Sequence, residues 1–209
     1  NGLFKSLLEF ANRIDSNLLS KSHYENLSLA GAFNSVNINR RQTFMSAQIL
    51  VDLSTLSSGD KSNQQENIFG SEINLDEIWK LPDVDDWNYK EKLEKERNSL
   101  GFYYSGHPLD CSKKFLDQLD IIDISLISES SETIVNTVGV VMQVIERSSK
   151  NGRFARLIIS SIYSLQEVII YSDIYLDKKF LLKPGTELYL KIAVTKDNNG
   201  ISRLLVRDL

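Results

Sequence analysis

Residues 133–209 carry an order of short β-branched runs and turn signals that few folds can accommodate. Val135 to Glu146 is a long β-branched run broken by Gly139, followed by Ser148–Gly152 (SSKNG), whose Asn-Gly pair is a hairpin signal. Phe154 to Ser160 and Leu165 to Tyr171 read as two further strands. Asp173 is expected to cap a helix running through Leu182, after which Pro184-Gly185 turns the chain. Thr186 to Thr195 and Ile201 to Val206 complete the set, joined by Asp197–Gly200 (DNNG). Three strands, a helix and two strands is the order of a five-stranded OB-fold barrel, in which the long opening strand must bend. Gly139 sits midway along that strand, where a missing side chain permits the bend.

The first 57 residues have helical rather than strand periodicity. Leu3, Phe4, Leu7, Leu8 and Ala11 fall on one helical face. Ser20 is a candidate N-cap for a second helix, which Gly31 ends as a left-handed cap. A third helix is expected from Asn39 to Leu56, with Phe44, Ala47, Leu50, Val51 and Ser54 on its buried side. The next segment is polar (Ser57–Glu66, SSGDKSNQQE) and then acidic (Leu81–Trp87, LPDVDDW), as in a linker or long loop. A charged helix follows from Tyr89 to Asn98, then a turn at Gly106 and Pro108, and a short helix from Leu109 to Leu119. The expected class is α+β, with a helical part at 1–57, a linker at 58–88, a helical connector at 89–132 and the barrel at 133–209.

Charge divides along the same line. Residues 1–132 hold 13 Lys/Arg against 21 Asp/Glu, whereas residues 133–209 hold 11 against 7. Any contact with nucleic acid is therefore expected in the C-terminal part. Arg147, Lys150, Arg153 and Arg156 surround the first hairpin, with Phe154, Tyr163 and Tyr171 as candidate stacking aromatics. Lys196 and Arg203 flank the second hairpin. Alternation groups Phe154 with Arg156 and Ile158, so Phe154 either shares a binding face with Arg156 or belongs to the core. With so few basic and aromatic residues, affinity for single strands is expected to be about micromolar or weaker.

Several chemistries find no support. His107 and Cys111 are spaced for one face of a helix, but His23 is the only other histidine, so a zinc site cannot be completed. His107 reads instead as a turn residue packing or hydrogen-bonding beside Pro108. Cys111 lacks the base and orienting group a nucleophile needs. Asp83, Asp85 and Asp86 lie where no strand pattern would fix them on metal ions, and read as a solvated acidic stretch. No catalytic or metal-binding residue is assigned. One cysteine excludes an internal disulfide, no apolar run suits a membrane span, and Asn1–Phe10 has no secretory pattern. A cytoplasmic location is expected, with no membrane partner. The ends at Asn1 and Leu209 look like fragment boundaries.

Glu96–Asp110 (ERNSLGFYYSGHPLD) resembles the LG-x-Y-x-x-GHP signature of bacterial replicative DNA polymerase III alpha subunits, a C-family polymerase group. Leu27–Phe33 (LSLAGAF) is similar to that family's SGAF motif, with Ala30 in place of the usual serine. Thr137–Val144 (TVGVVMQV) resembles the opening of its OB-fold. The resemblance covers nearly all of the chain and implies the C-terminal region, with 1–57 as the end of a helix-hairpin-helix, clamp-binding domain. It places the catalytic aspartates in a palm domain upstream, so that the parent polymerase uses Mg2+ while this segment holds no cofactor.

Within the linker, Gln65-Glu66-Asn67-Ile68-Phe69 is similar to the family's clamp-binding pentapeptide, Gln-x-x-(Leu/Met/Ile)-Phe. An extended peptide can bond through Gln65 and insert Ile68 and Phe69 into a preformed groove. The alternative is that Ile68 and Phe69 pin the linker to a neighbouring domain. The implied partners are the sliding clamp, single-stranded DNA and other holoenzyme subunits. Two other functions remain open at this level: an OB-fold scaffold organising replisome subunits without touching DNA, and a stand-alone OB-containing enzyme. The GHP segment and the missing catalytic constellation argue against the second.

Overall fold

A computed structural model of the chain describes residues 2–62, 79–129, 134–149, 152–196 and 202–209. The chain divides into two compact units, 1–101 and 102–209.

In the first unit, α1 (Leu7–Arg13) is capped by Ser6, whose hydroxyl accepts from the Glu9 N–H. Leu3 and Phe4 precede the helix, and Leu3 is exposed. The second helix, α2 (Lys21–Leu29), starts after Ser20, whose N–H donates to His23 Nδ1 at 3.0 Å. Gly31 follows its end at φ +76°, the left-handed cap expected of that glycine. The expected third helix is two helices, α3 (Arg40–Met45) and α4 (Ala47–Ser62). They part at Ser46, where ψ is 0° and the buried hydroxyl donates back to the Gln42 carbonyl at 2.8 Å, competing with the regular ladder. Leu7, Ala11, Tyr24, Phe33, Ala47, Leu50 and Leu53 form the core. The Phe10 ring meets those of Tyr24 and Phe33 edge-on.

The fifth helix, α5 (Tyr89–Leu100), is capped by Asn88 and belongs to this unit. Its Glu96 is fully buried, 3.9 Å from the guanidinium of the equally buried Arg40. Arg40 also donates to Asn34 Oδ1 at 3.1 Å and to the Leu29 carbonyl at 3.5 Å. It lies so close over Gly31 that a Cβ there would overlap the guanidinium. The acidic stretch is not uniformly solvated, because Asp86 is half-buried. It accepts from the Arg41 N–H at 3.1 Å and pairs with Lys92 at 2.5 Å. Burial pushes its pKa up, but the hydrogen bonds from Lys92, Arg41 and Trp87 outweigh that and hold it below the usual carboxylate range.

The second unit is a closed barrel of β1 (Ile134–Ser149), β2 (Gly152–Ser160), β3 (Leu165–Ile170), β4 (Glu187–Lys196) and β5 (Ser202–Asp208), in the order β1-β2-β3-β5-β4. All pairs are antiparallel except β3 with β5. The first half of β1 pairs with β4 and the second half with β2, and the two ladders meet at Val140. The register shifts between Val141 and Gln143, a bulge that bends the strand. Just before it, a Cβ on Gly139 would overlap the Cγ2 of Ile159, so only glycine lets β2 close against β1.

Val135, Val141, Ala155, Leu157, Ile159, Val168, Ile170, Leu190 and Ile192 point inward. The connection between β3 and β4 is α6 (Ser172–Lys178) plus a 3-10 turn (Lys179–Leu181), one residue earlier and less regular than the helix expected. Tyr171 occupies its cap position, and Asp173 lies in its first turn. Tyr175 and Leu182 from this connection join the core. Among the described residues no helix is long and apolar enough to cross a membrane.

Ahead of β1, the helix expected at Leu109–Leu119 is a 3-10 turn (Pro108–Ser112) and a single α-turn (Lys113–Leu116). Pro108 stands at its first position, and His107 caps it. The His107 Nδ1 accepts from the Leu109 N–H at 3.3 Å, while the His107 backbone N–H donates to Asp110 Oδ2 at 2.6 Å. In the neutral ring the proton is thus on Nε2, which donates to Ser160 Oγ at 3.1 Å; that hydroxyl in turn donates to the Ser161 carbonyl at 3.2 Å. The Tyr103 ring stands edge-on to the imidazole at 5.2 Å. The GHP segment is therefore a buried fastening that ties the chain before the barrel to the end of β2.

Two tests follow from this packing. Gly139→Ala should cost about 1–3 kcal/mol in chemical denaturation, as overpacking does. Adding Ile159→Val, which trims the side chain it meets, should recover part of the loss; equal stability of Gly139→Ala and the parent would refute close contact. Burial lowers the pKa of His107, with the charges of Asp110, Glu187 and Asp123 opposing it. Below about pH 6.5 the unfolded chain therefore binds a proton that the folded chain resists, so acidification through that value destabilises the fold. The drop in urea midpoint between pH 7.5 and 5.5 should be smaller in His107→Gln than in the parent; an identical drop would show that His107 does not contribute.

Candidate nucleic-acid interface

Strand alternation on β2 decides where the candidate residues point. Ala155, Leu157 and Ile159 are buried in the barrel, so Phe154, Arg156 and Ile158 face outward. Phe154 is half-buried on that outer face rather than in the core. The ladder sets Arg147 opposite Phe154 and Ile145 opposite Arg156, and on the other side Ile169 opposite Arg156. Directly opposed residues share a face, so this register gathers two cations and an aromatic over half-buried isoleucines. Tyr171, just beyond β3, completes the group, with its ring 6.3 Å from that of Phe154 and tilted by 44°. Tyr171 is 49% exposed.

One carboxylate tempers the charge of this face: Glu167 lies 3.7 Å from Arg156, with both side chains about half exposed. Glu146 opposes the inward-facing Ala155 and pairs with Lys179 at 2.6 Å. The hydrogen bond from Lys179 holds the Glu146 carboxyl below its ordinary range, and the same bond raises the Lys179 ammonium. Arg147 and Arg153 are exposed at the hairpin end, where Arg153 opposes Ser148. Lys150 lies outside the described residues.

The other candidates do not all converge. Lys196 and Arg203 are exposed on the β4–β5 ladder, where Thr195 opposes Arg203, and the register does not join them to the β1-β2-β3 group. Tyr163 sits in the loop beyond the opposite end of β2 from Phe154, about 20 Å along the strand at ~3.3 Å per residue. It is thus no part of the Phe154–Tyr171 face. Sequence parity groups Phe154 with Arg156, but the contribution of Arg147 depends on the hairpin register. The half-buried isoleucine floor is visible only once three strands are aligned.

The clamp-type pentapeptide, including Gln65, Ile68 and Phe69, lies outside the described residues. Among the described residues no group of three His, Cys, Asp or Glu is placed to hold a metal. His107 is committed to its cap and Ser160, and Cys111 is exposed.

Comparison with known proteins fits this layout. A helix-hairpin-helix motif family matches residues 1–43, the stretch that contains α1, α2 and the Gly31 turn. The DNA polymerase III subunit alpha of Caulobacter vibrioides is 29% identical over 91% of the chain. Those of Borreliella burgdorferi and Chlamydia trachomatis are 26% and 28% identical over 84% and 100% of it. The chain spans only 16–18% of the length of these curated relatives. Over most of its residues, then, the chain is related to bacterial DNA polymerase III alpha subunits, and a helical unit followed by a five-stranded barrel is consistent with their C-terminal region.

Proposed function

We propose that the chain is a non-catalytic segment of a replicative DNA polymerase that holds single-stranded template on its barrel and tethers the enzyme to a sliding clamp. The observation that carries the first part is the contiguous outer face of Arg147, Phe154, Arg156 and Tyr171. Cations along a strand surface draw the phosphate backbone, and exposed rings accept bases whatever their sequence. Arg153 at the hairpin end extends the cationic edge, and Lys150 adds a positive charge nearby in sequence. Lys196 and Arg203 at the second hairpin add charge to the same barrel. The similarity to DNA polymerase III alpha subunits supports a replicative setting, in which the longer protein carries out DNA-directed DNA synthesis with its holoenzyme partners.

Support for the tether is the pattern Gln65-Glu66-Asn67-Ile68-Phe69, which falls between α4 and α5 in the sequence. Clamp attachment makes repeated encounters with DNA effectively intramolecular, so a modest peptide affinity suffices to raise processivity.

Oligothymidylate binding measured across a salt series tests the first part. Phe154→Ala should lose about 1–3 kcal/mol of binding. Arg153→Ala with Lys150→Ala should flatten the salt dependence by up to about two phosphate contacts. Unchanged affinity and slope in both variants would favour a scaffold that does not touch DNA. Calorimetry against the sliding clamp tests the second. Phe69→Ala should cost on the order of 2 kcal/mol or more, while Glu66→Ala and Asn67→Ala should be nearly silent. Full binding by Phe69→Ala would remove the pentapeptide as the clamp contact.

A further inference from the structure

Around the His107 fastening, the barrel unit carries a cleft of about 490 Å³ that is separate from the Phe154–Tyr171 face. Its walls include Phe102, Tyr104, His107, Met142 and Tyr163. Three of these rings are open to solvent: Tyr104 is 77% exposed, Tyr163 70% and Phe102 46%. Large aromatics are seldom left uncovered in such proximity without a partner, and they dominate the binding energy of protein interfaces.

The rings are held on fixed backbone. In the loop between β2 and β3, the Ser161 N–H donates to the Ser164 carbonyl at 2.8 Å. The Ser161 hydroxyl accepts from the N–H groups of Tyr163 and Ser164, at 3.3 and 3.2 Å, and donates to Asp123 Oδ1 at 3.3 Å. Asp123 is itself anchored by the Ser125 N–H and hydroxyl. Tyr163 thus projects from a closed turn. Also in the lining, Phe102 and Tyr104 flank in sequence Tyr103, whose ring packs on His107. Little ordering cost remains for a ligand to meet.

Charge selects the ligand. None of the lining residues is Lys or Arg. Asp110 is the charged residue among them, and burial works against a charge on His107. A polyanion entering here would meet that carboxylate and no lining cation. A cationic side chain would meet one carboxylate and exposed aromatic faces, the combination that favours Arg or Lys over a ring. Met142 and the exposed Leu165 add apolar surface beside it.

We propose that this cleft docks a segment of a protein partner that presents an arginine or lysine beside apolar residues, the Tyr104 and Tyr163 rings flanking the cation.

The test uses the full chain, labelled with 15N, and three probes: acetyl-Leu-Arg-Leu-amide, acetyl-Leu-Glu-Leu-amide and a ten-residue oligothymidylate. The arginine peptide should shift the amides of Tyr104, Tyr163 and Leu165 saturably, and bind about three- to fivefold more tightly than the glutamate peptide, the scale of an exposed cation–π contact. Tyr104→Ala with Tyr163→Ala should abolish the saturable shifts while leaving the barrel amides in place, since both side chains are exposed. Equal binding of the two peptides, no saturable shift with either, retention of binding in the double variant, or oligothymidylate moving these amides ahead of the arginine peptide would each overturn the proposal.

Discussion

The barrel depends on its opening strand changing partners along its length. At 16 residues, β1 is long enough to pair with β4 through Val140 and with β2 from Val140 onward. A strand that changes partners must bend, and the bend brings its backbone against the side chain of Ile159. Gly139 at that place and the adjacent bulge are what the geometry requires. Everything outside the barrel inherits its direction from this choice. A register change of one residue on β2 would turn Phe154 and Arg156 inward and put Ala155, Leu157 and Ile159 in water.

The helical unit relies on a different device. Arg40 and Glu96 are both almost without solvent exposure, a costly state for charges unless every polar group is satisfied. Arg40 meets that condition by also reaching Asn34 and the end of α2, over a glycine that leaves room for it. One guanidinium thereby links the α2 terminus, α3 and α5. The pair adds specificity rather than much net stability: an apolar substitute for both partners could pack as well, whereas loss of one would strand a buried charge.

Patterns that repeat locally were legible in the sequence. Period-two runs, Gly139 in the opening strand and the Gly31 cap all correspond to features of the structure. What the sequence could not display are contacts between distant segments. Ser160 lies 53 residues from His107, and the two meet only because β2 ends beneath the GHP turn. Ser46 shows why even a helical stretch can mislead, since its back-bonding hydroxyl divides a periodic run that looks continuous. The site was half visible: parity placed Phe154 and Arg156 on one face, but its outward direction needed the core to be known. Tyr163 looked equivalent to Tyr171 in composition, yet the turn after β2 carries it to another surface.

Closure of the barrel therefore fixes which aromatics share an outer face, and Phe154 and Tyr171 are the pair it brings together. The ring-proton signals of these two residues, followed while oligothymidylate is added to the full chain, report directly on that face. Both should shift upfield together and saturate in parallel as bases stack on them, while the Tyr189 ring on β4 stays in place. Saturable shifts at Tyr189 with Phe154 and Tyr171 unmoved, or no saturable shift at any of the three, would contradict the assignment of this face to single-stranded DNA.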